Sequence, residues 1–258
     1  MLFKSSLSLL KEAIFAVNHF CKTSHLLLTT DLKDISKNIF IYLLLCAAVF
    51  GMLLTIAQYG SFRTDVGFLK SKQEYLSIKI WRVAFYTHVF SSVFCLFAGF
   101  TQFSNHVLKH YKKLHRFIGK MYAYNIMFIN FPAGMIMAFY ANGELPSKIA
   151  FIILDSLWLL FTCKAVIAIK AKDIKTHKRF MIRSYALTCS AITLRMWKLI
   201  LSHTFDIDPQ ILYMIDAWMG FVPNLLFAEW LISRLNLGQK KSALKNQTGS
   251  YKIVKKAY

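Results

Sequence analysis

His177-Lys-Arg-Phe-Met-Ile-Arg-Ser-Tyr-Ala-Leu-Thr-Cys-Ser-Ala-Ile-Thr-Leu-Arg195 decides how the chain reads. The stretch lies among long apolar runs and still carries His177, Lys178, Arg179, Arg183 and Arg195. A helical turn of ~100° per residue sets His177 and Arg195 on one face, roughly 27 Å apart. That nearly spans a hydrocarbon core of ~30 Å. An arginine deep in a bilayer is costly, so it faces protein, water or a bound group. The expected arrangement is a set of helices gathered round this one, holding an anionic, metal-containing ligand.

Composition supports a membrane setting. Of 258 residues, 56% are apolar and 16% aromatic, and the mean hydropathy is positive, too apolar for a soluble domain of this length. The net charge of +20 sits between apolar runs. That placement fits membrane topology and anionic lipid headgroups, not a nucleic-acid face. Cys21, Cys46, Cys95, Cys163 and Cys189 show no zinc-like pair spacing and read as small buried residues.

The expected fold is all-α and polytopic: an amphipathic segment 1–38, a six-helix transmembrane domain 39–235 with a four-helix core, and a basic tail 236–258. In the first segment Phe3, Leu7, Leu10, Ile14, Val17 and Cys21 recur at helical spacing with Lys4, Ser8, Lys11 and Asn18 between them. It is too polar to span and lacks a small-residue cleavage site, so it reads as an interfacial helix. Six spans follow, at 39–59, 83–102, 118–140, 149–169, 180–201 and 211–232. Loops 106–117 and 170–179 and the tail are basic, whereas 141–148 and 202–210 are not. The positive-inside rule places both termini in the cytoplasm, as for a multi-pass protein of a bacterial inner membrane. Loop 60–82 is the exception, since it carries Arg63, Lys70, Lys72, Lys79 and Arg82 yet falls outside.

The chain also echoes itself. Arg116-Phe-Ile-Gly-Lys-Met-Tyr-Ala123 opens span three, and Arg179-Phe-Met-Ile-Arg-Ser-Tyr-Ala186 opens span five. Each follows a histidine by one or two residues. As a duplication, the echo makes spans two-three and four-five repeated hairpins about a pseudo-two-fold axis. His115 and His177 then stand at matching positions at the cytoplasmic end of the core.

The residues that could carry chemistry fall in three groups. His88, Ser92, Cys95, Gly99, Gln102 and His106 form one stripe at spacings of four and three. Small residues there serve helix packing, while His88 is a metal-ligand type. Facing imidazoles from His115 and His177 can ligate a heme iron from both sides, with Arg116, Arg179 and Arg183 neutralising propionates. His203 is the available partner for His88 at the outer end. Arg195 calls for Asp155, Asp216, Glu229 or an anionic ligand, with Asp155 or Asp216 the better match in depth. Pro223 predicts a kink in span six, freeing a carbonyl for Asn224 or water. No phosphate loop, nucleophile elbow or acid–base carboxylate pair is present, so hydrolase chemistry has no support in the sequence.

Several of these residues form a pattern: His88 with Gly99-Phe-Thr-Gln102; Leu114-His115-Arg116-Phe-Ile-Gly119-Lys-Met-Tyr122; Leu157-Trp158; His177-Lys-Arg179-Phe-Met181-Ile-Arg183-Ser-Tyr185 with Arg195; and Ala217-Trp218 with Val222-Pro223-Asn224 and Glu229. Over residues 80–235 the chain resembles a family of bacterial integral-membrane proteins defined as a domain of unknown function. A looser likeness is to transmembrane diheme cytochromes b, which have six spans and a four-helix core with histidines near both faces. That likeness implies two histidine pairs, and here only His115 with His177 is well placed. A single heme, a non-heme metal or a quinone fits the residues as well.

The function expected is electron transfer through heme b at His115 and His177, as part of a membrane oxidoreductase, with a quinone or small redox donor as partner. The alternatives are a carrier or receptor for an anionic small molecule or lipid, with Arg183 and Arg195 as counter-charges, and a membrane component without chemistry.

Overall fold

A computed structural model describes residue 47 and residues 49–236. The amphipathic segment 1–38, residues 39–46 and 48 of the first span and the tail beyond Asn236 lie outside the described residues. What is described is helical, with no strand among the described residues.

The helices are α1 (49–57), α2 (Lys79–Gln102), α3 (Asn105–His110), α4 (Lys112–Tyr124), α5 (Phe131–Phe139), α6 (Glu144–Lys170), α7 (Ile174–Thr188), α8 (Ser190–Thr204), α9 (Pro209–Met219) and α10 (222–236). A 3₁₀ segment, Gly67–Tyr75, precedes α2, and a π-helical turn, Asn125–Asn130, joins α4 to α5. Lys79–Gly99, Glu144–Lys170 and Pro209–Asn236 are long and apolar enough to cross a membrane. Large apolar side chains point outward along them, including Phe90, Ile167, Leu226 and Phe227. Such a surface suits lipid tails and would aggregate in water.

Local sequence explains the boundaries. Asp173 starts α7 by accepting from the Thr176 amide at 3.0 Å, and Asp208 starts α9 by accepting from Gln210 at 2.8 Å, each satisfying an otherwise orphaned donor. Pro209 follows at the first helical position, where its missing N–H costs nothing. α2 ends at Gln102 and Ser104 caps a separate α3, so His106 does not continue the stripe of α2 as the spacing suggested.

The helix expected to carry His177 and Arg195 together is divided at Cys189. Ile192 donates to the Cys189 carbonyl at 2.9 Å, in i→i+3 fashion, and the Thr193 amide shares that carbonyl at 3.2 Å. The Thr193 hydroxyl bonds Cys189 and Ser190 carbonyls as well. Threonine back-bonding of this kind bends helices. The sixth span also breaks, at Gly220–Phe221, just before Pro223. There the Asn224 amide donates to the Ala186 carbonyl (3.1 Å), the Thr193 hydroxyl (3.0 Å) and the Gly220 carbonyl (3.4 Å), tying α10 to α7 and α8.

α6 packs along α7 as a hairpin, and α2 packs against α4, the π turn, α5 and α7. Buried Ala150, Ala165 and Ala168 lie along α6, and small residues let helices approach closely in a membrane. The central core joins Cys95, Tyr122, Ile126, Trp158, Leu187 and Phe221. A second cluster of Tyr59, Leu69, Trp81 and Phe85 anchors the 3₁₀ segment.

Candidate functional site

At the end of the bundle where α4 and α7 begin, the two echoed motifs meet. His177 points its Nδ1 at the Ala165 carbonyl, 2.9 Å away across the α6–α7 hairpin. A carbonyl only accepts, so that nitrogen carries the proton, and in the neutral ring Nε2 is the one with the lone pair. His115 is half-buried, and its Nδ1 is enclosed with no hydrogen-bond partner. Burial holds the His115 imidazole below its ordinary pKa, and the charges of His177 and Arg116 add to the effect. The Gln102 amide donates to the His115 carbonyl at 3.2 Å, and a Cβ on Gly119 would stand 2.9 Å from the Gln102 Oε1. Gly119 thus makes room for the contact that seats the start of α4.

The arginines divide. Arg116 is exposed and forms no ion pair among the described residues. Arg179 donates to Asn236 at 2.6 Å, while its Nε is buried and unpartnered. Arg183 forms a two-pronged pair with Glu229, at 2.5 and 2.8 Å, and lies over the Phe180 ring at 5.2 Å. Arg195 is exposed among the described residues and donates to the Ala191 carbonyl of its own helix at 2.7 Å. The carboxylate expected for Arg195 is therefore not supplied: Glu229 is taken by Arg183, and both Asp216 oxygens are buried without a partner. Helix depth explains the choice. Arg183 lies nine residues into α7 and Glu229 seven from Asn236, roughly 13 and 10 Å from the same end.

One helical layer inward, the motif residues make a hydroxyl cluster. The Tyr122 hydroxyl lies 2.8 Å from both Ser184 and Thr188. Trp158 donates to Thr188 at 3.1 Å, and Thr162 and Ser184 are 2.8 Å apart. Every member is satisfied, which buried polar groups require. Tyr122 and Tyr185 hold equivalent places in the echo but do different work, because the Tyr185 hydroxyl donates to the Leu96 carbonyl at 2.9 Å.

His88 lies at the opposite end of α2, with its Nδ1 buried and unpartnered. It lines a cavity of about 120 Å³ together with Asp155 and Lys72. His203 is exposed and bonds the Leu199 carbonyl of its own helix at 2.9 Å, so the described structure provides no His88–His203 pair. Lys72 is buried beneath the 3₁₀ segment and donates to the Tyr140 carbonyl. It is one of the five cations of loop 60–82. With Arg63 paired to Asp65, that loop shows less free charge than its composition suggests. Asp155 was weighed as a partner for Arg195. Its place in an apolar span was the signal of a buried site, and the element facing it is α5 rather than α8.

No group of three or more His, Cys, Asp or Glu side chains converges among the described residues, so a metal at either histidine site would take at most two such side-chain ligands from these residues. No curated protein and no solved structure matches the chain. Residues 85–232 match one family, described as "Predicted membrane protein (DUF2306)", and they contain the histidine pair, the hydroxyl cluster and the Arg183–Glu229 bridge. With outward apolar helices and more than half its length within that match, the chain is an integral membrane protein belonging to the DUF2306 family.

Proposed function

We propose that this protein crosses the membrane six times and transfers electrons through a heme b held by His115 and His177. The observation that carries the reading is the His177–Ala165 hydrogen bond. A ligating histidine characteristically donates its other ring nitrogen to a carbonyl, which fixes tautomer and orientation. The enclosed, unpartnered imidazole nitrogen of His115 is the second support. Bound there, heme would supply one-electron chemistry. The chain's own part is to hold His177 by Ala165, to seat His115 by Gln102, and to offer the exposed Arg116 to a propionate. Arg179 and Arg183 would have to exchange Asn236 and Glu229 to serve as well.

The crossings interrupted at the π turn and at Cys189 are each longer, end to end, than the ~20 residues a span needs. Three basic segments share one end: those opening α4 and α7 both lead into the Tyr122–Ser184 contact, and Arg179 joins that end to Asn236. The positive-inside rule makes it the cytoplasmic end of a bacterial inner membrane, with a quinone or small redox protein as the exchanging partner.

Detergent-purified full-length protein is expected to show a b-type reduced-minus-oxidised spectrum that His177→Ala and His115→Ala remove. Folded wild-type protein without heme or iron would overturn the proposal.

A further inference from the structure

The cavity beside His88 lies fourteen residues along α2 from Gln102, roughly 21 Å from the histidine pair. Three elements bring polar groups to it: Lys72 from the 3₁₀ segment, His88 from α2 and Asp155 from α6. Asp155 is 6% exposed and its Oδ2 has no partner, and the His88 Nδ1 is also enclosed without one. A Cβ on Gly134 would stand 2.7 Å from that carboxylate oxygen, so the glycine gives the carboxylate its room. Lys72 is 1% exposed, with its ammonium 4.8 Å from the Tyr75 ring centre.

Buried groups of this kind are ordinarily hydrogen-bonded, and two unpaired acceptor-capable groups on one cavity call for a donor-rich occupant. The lining offers one acidic side chain, one basic side chain and an imidazole. A ligand carrying net charge would leave that charge uncompensated among these buried side chains. The fitting occupant is neutral overall, with its cationic end at Asp155 and its anionic end at Lys72. Trp81, Phe151 and Tyr213 are among the other lining residues, and aromatic faces attract an ammonium. The volume equals about four waters at ~30 Å³ each, enough for a molecule of a few heavy atoms.

We infer that this cavity binds a small zwitterion of the α-amino-acid class, its ammonium held by Asp155 and His88 and its carboxylate directed to Lys72. The site is independent of heme. The test measures equilibrium binding of labelled glycine and alanine to the full-length protein in detergent, with methylamine and acetate as probes of each half. Saturable binding of a zwitterion is expected, weakened at least about tenfold in either half-molecule, since a hydrogen bond to a charged group is worth that much. Asp155→Asn, Lys72→Met and Gly134→Ala should each weaken it similarly while a heme spectrum, if present, is unchanged. Absence of saturable binding to folded wild-type protein, meaning that water alone fills the cavity, overturns the inference. Methylamine binding as tightly as glycine also overturns it, in favour of a plain cation site. Both outcomes are read on wild-type protein, so a variant that fails to fold does not blunt the test.

Discussion

The ring of Tyr185 occupies the place where a side chain on Gly99 would stand, and its hydroxyl donates to the Leu96 carbonyl 2.9 Å away. One aromatic residue of α7 thereby clamps α2. The glycine matters here because of space, since the helix around it is regular. Gly99→Ala is expected to push Tyr185 off its acceptor and to cost about 1–3 kcal/mol, as overpacking does. Tyr185→Phe keeps the packing and loses only the hydrogen bond, about 1 kcal/mol. Thermal unfolding in detergent should rank Gly99→Ala below Tyr185→Phe. The reverse order would mean that α2 and α7 separate easily.

Within the hydroxyl cluster Thr188 serves both Tyr122 and Trp158. Thr188→Val removes the 3.1 Å acceptor of the Trp158 indole N–H, whereas Tyr122→Phe leaves Ser184 and Thr162 still bonded to each other. Thr188→Val should therefore cost more, about 1–3 kcal/mol for the stranded donor. Tyr122→Phe should cost about 1 kcal/mol. Together they should cost less than the sum, because both remove the Tyr122–Thr188 bond. Additive losses would show that the cluster does not act as a unit.

His115 links stability to pH. Burial first, then the charges of His177 and Arg116, keep its imidazole neutral in the folded protein below the ordinary value of 6.5. The unfolded chain takes up a proton near pH 6.5, while the folded protein resists it. The fold's advantage is thus intact above pH 6.5 and erodes as the pH falls from there towards the lower folded value. Melting temperatures compared at pH 7.5 and 5.5 should fall less in His115→Gln than in wild type. Equal drops in the two proteins would assign the acid sensitivity to other groups.

Much of this was legible along the chain. Long, mostly apolar runs mark Lys79–Gly99, Glu144–Lys170 and Pro209–Asn236 as segments suited to a membrane. The paired R-F-x-x-[KR]-x-Y-A segments place His115 and His177 at helix starts. Gly99 stands in a stripe of small residues, as a helix contact requires. The Pro223 kink was legible too, although Asn224 serves three acceptors there.

Other features depended on how separate helices meet. Arg195 called for a carboxylate, but Glu229 goes to Arg183, and Asp155 turns to a cavity with His88 and Lys72. The π turn at Asn125–Asn130 and the break at Cys189 give no hydropathy signal, because each changes helical phase without changing apolarity. Hydropathy and periodicity are properties of one strip of chain, so the sequence by itself determined which segments are helical and apolar and where their cations lie in depth. Only the tertiary structure decided which cation meets which carboxylate, because that depends on the rotation of each helix about its axis and on which neighbours it packs against.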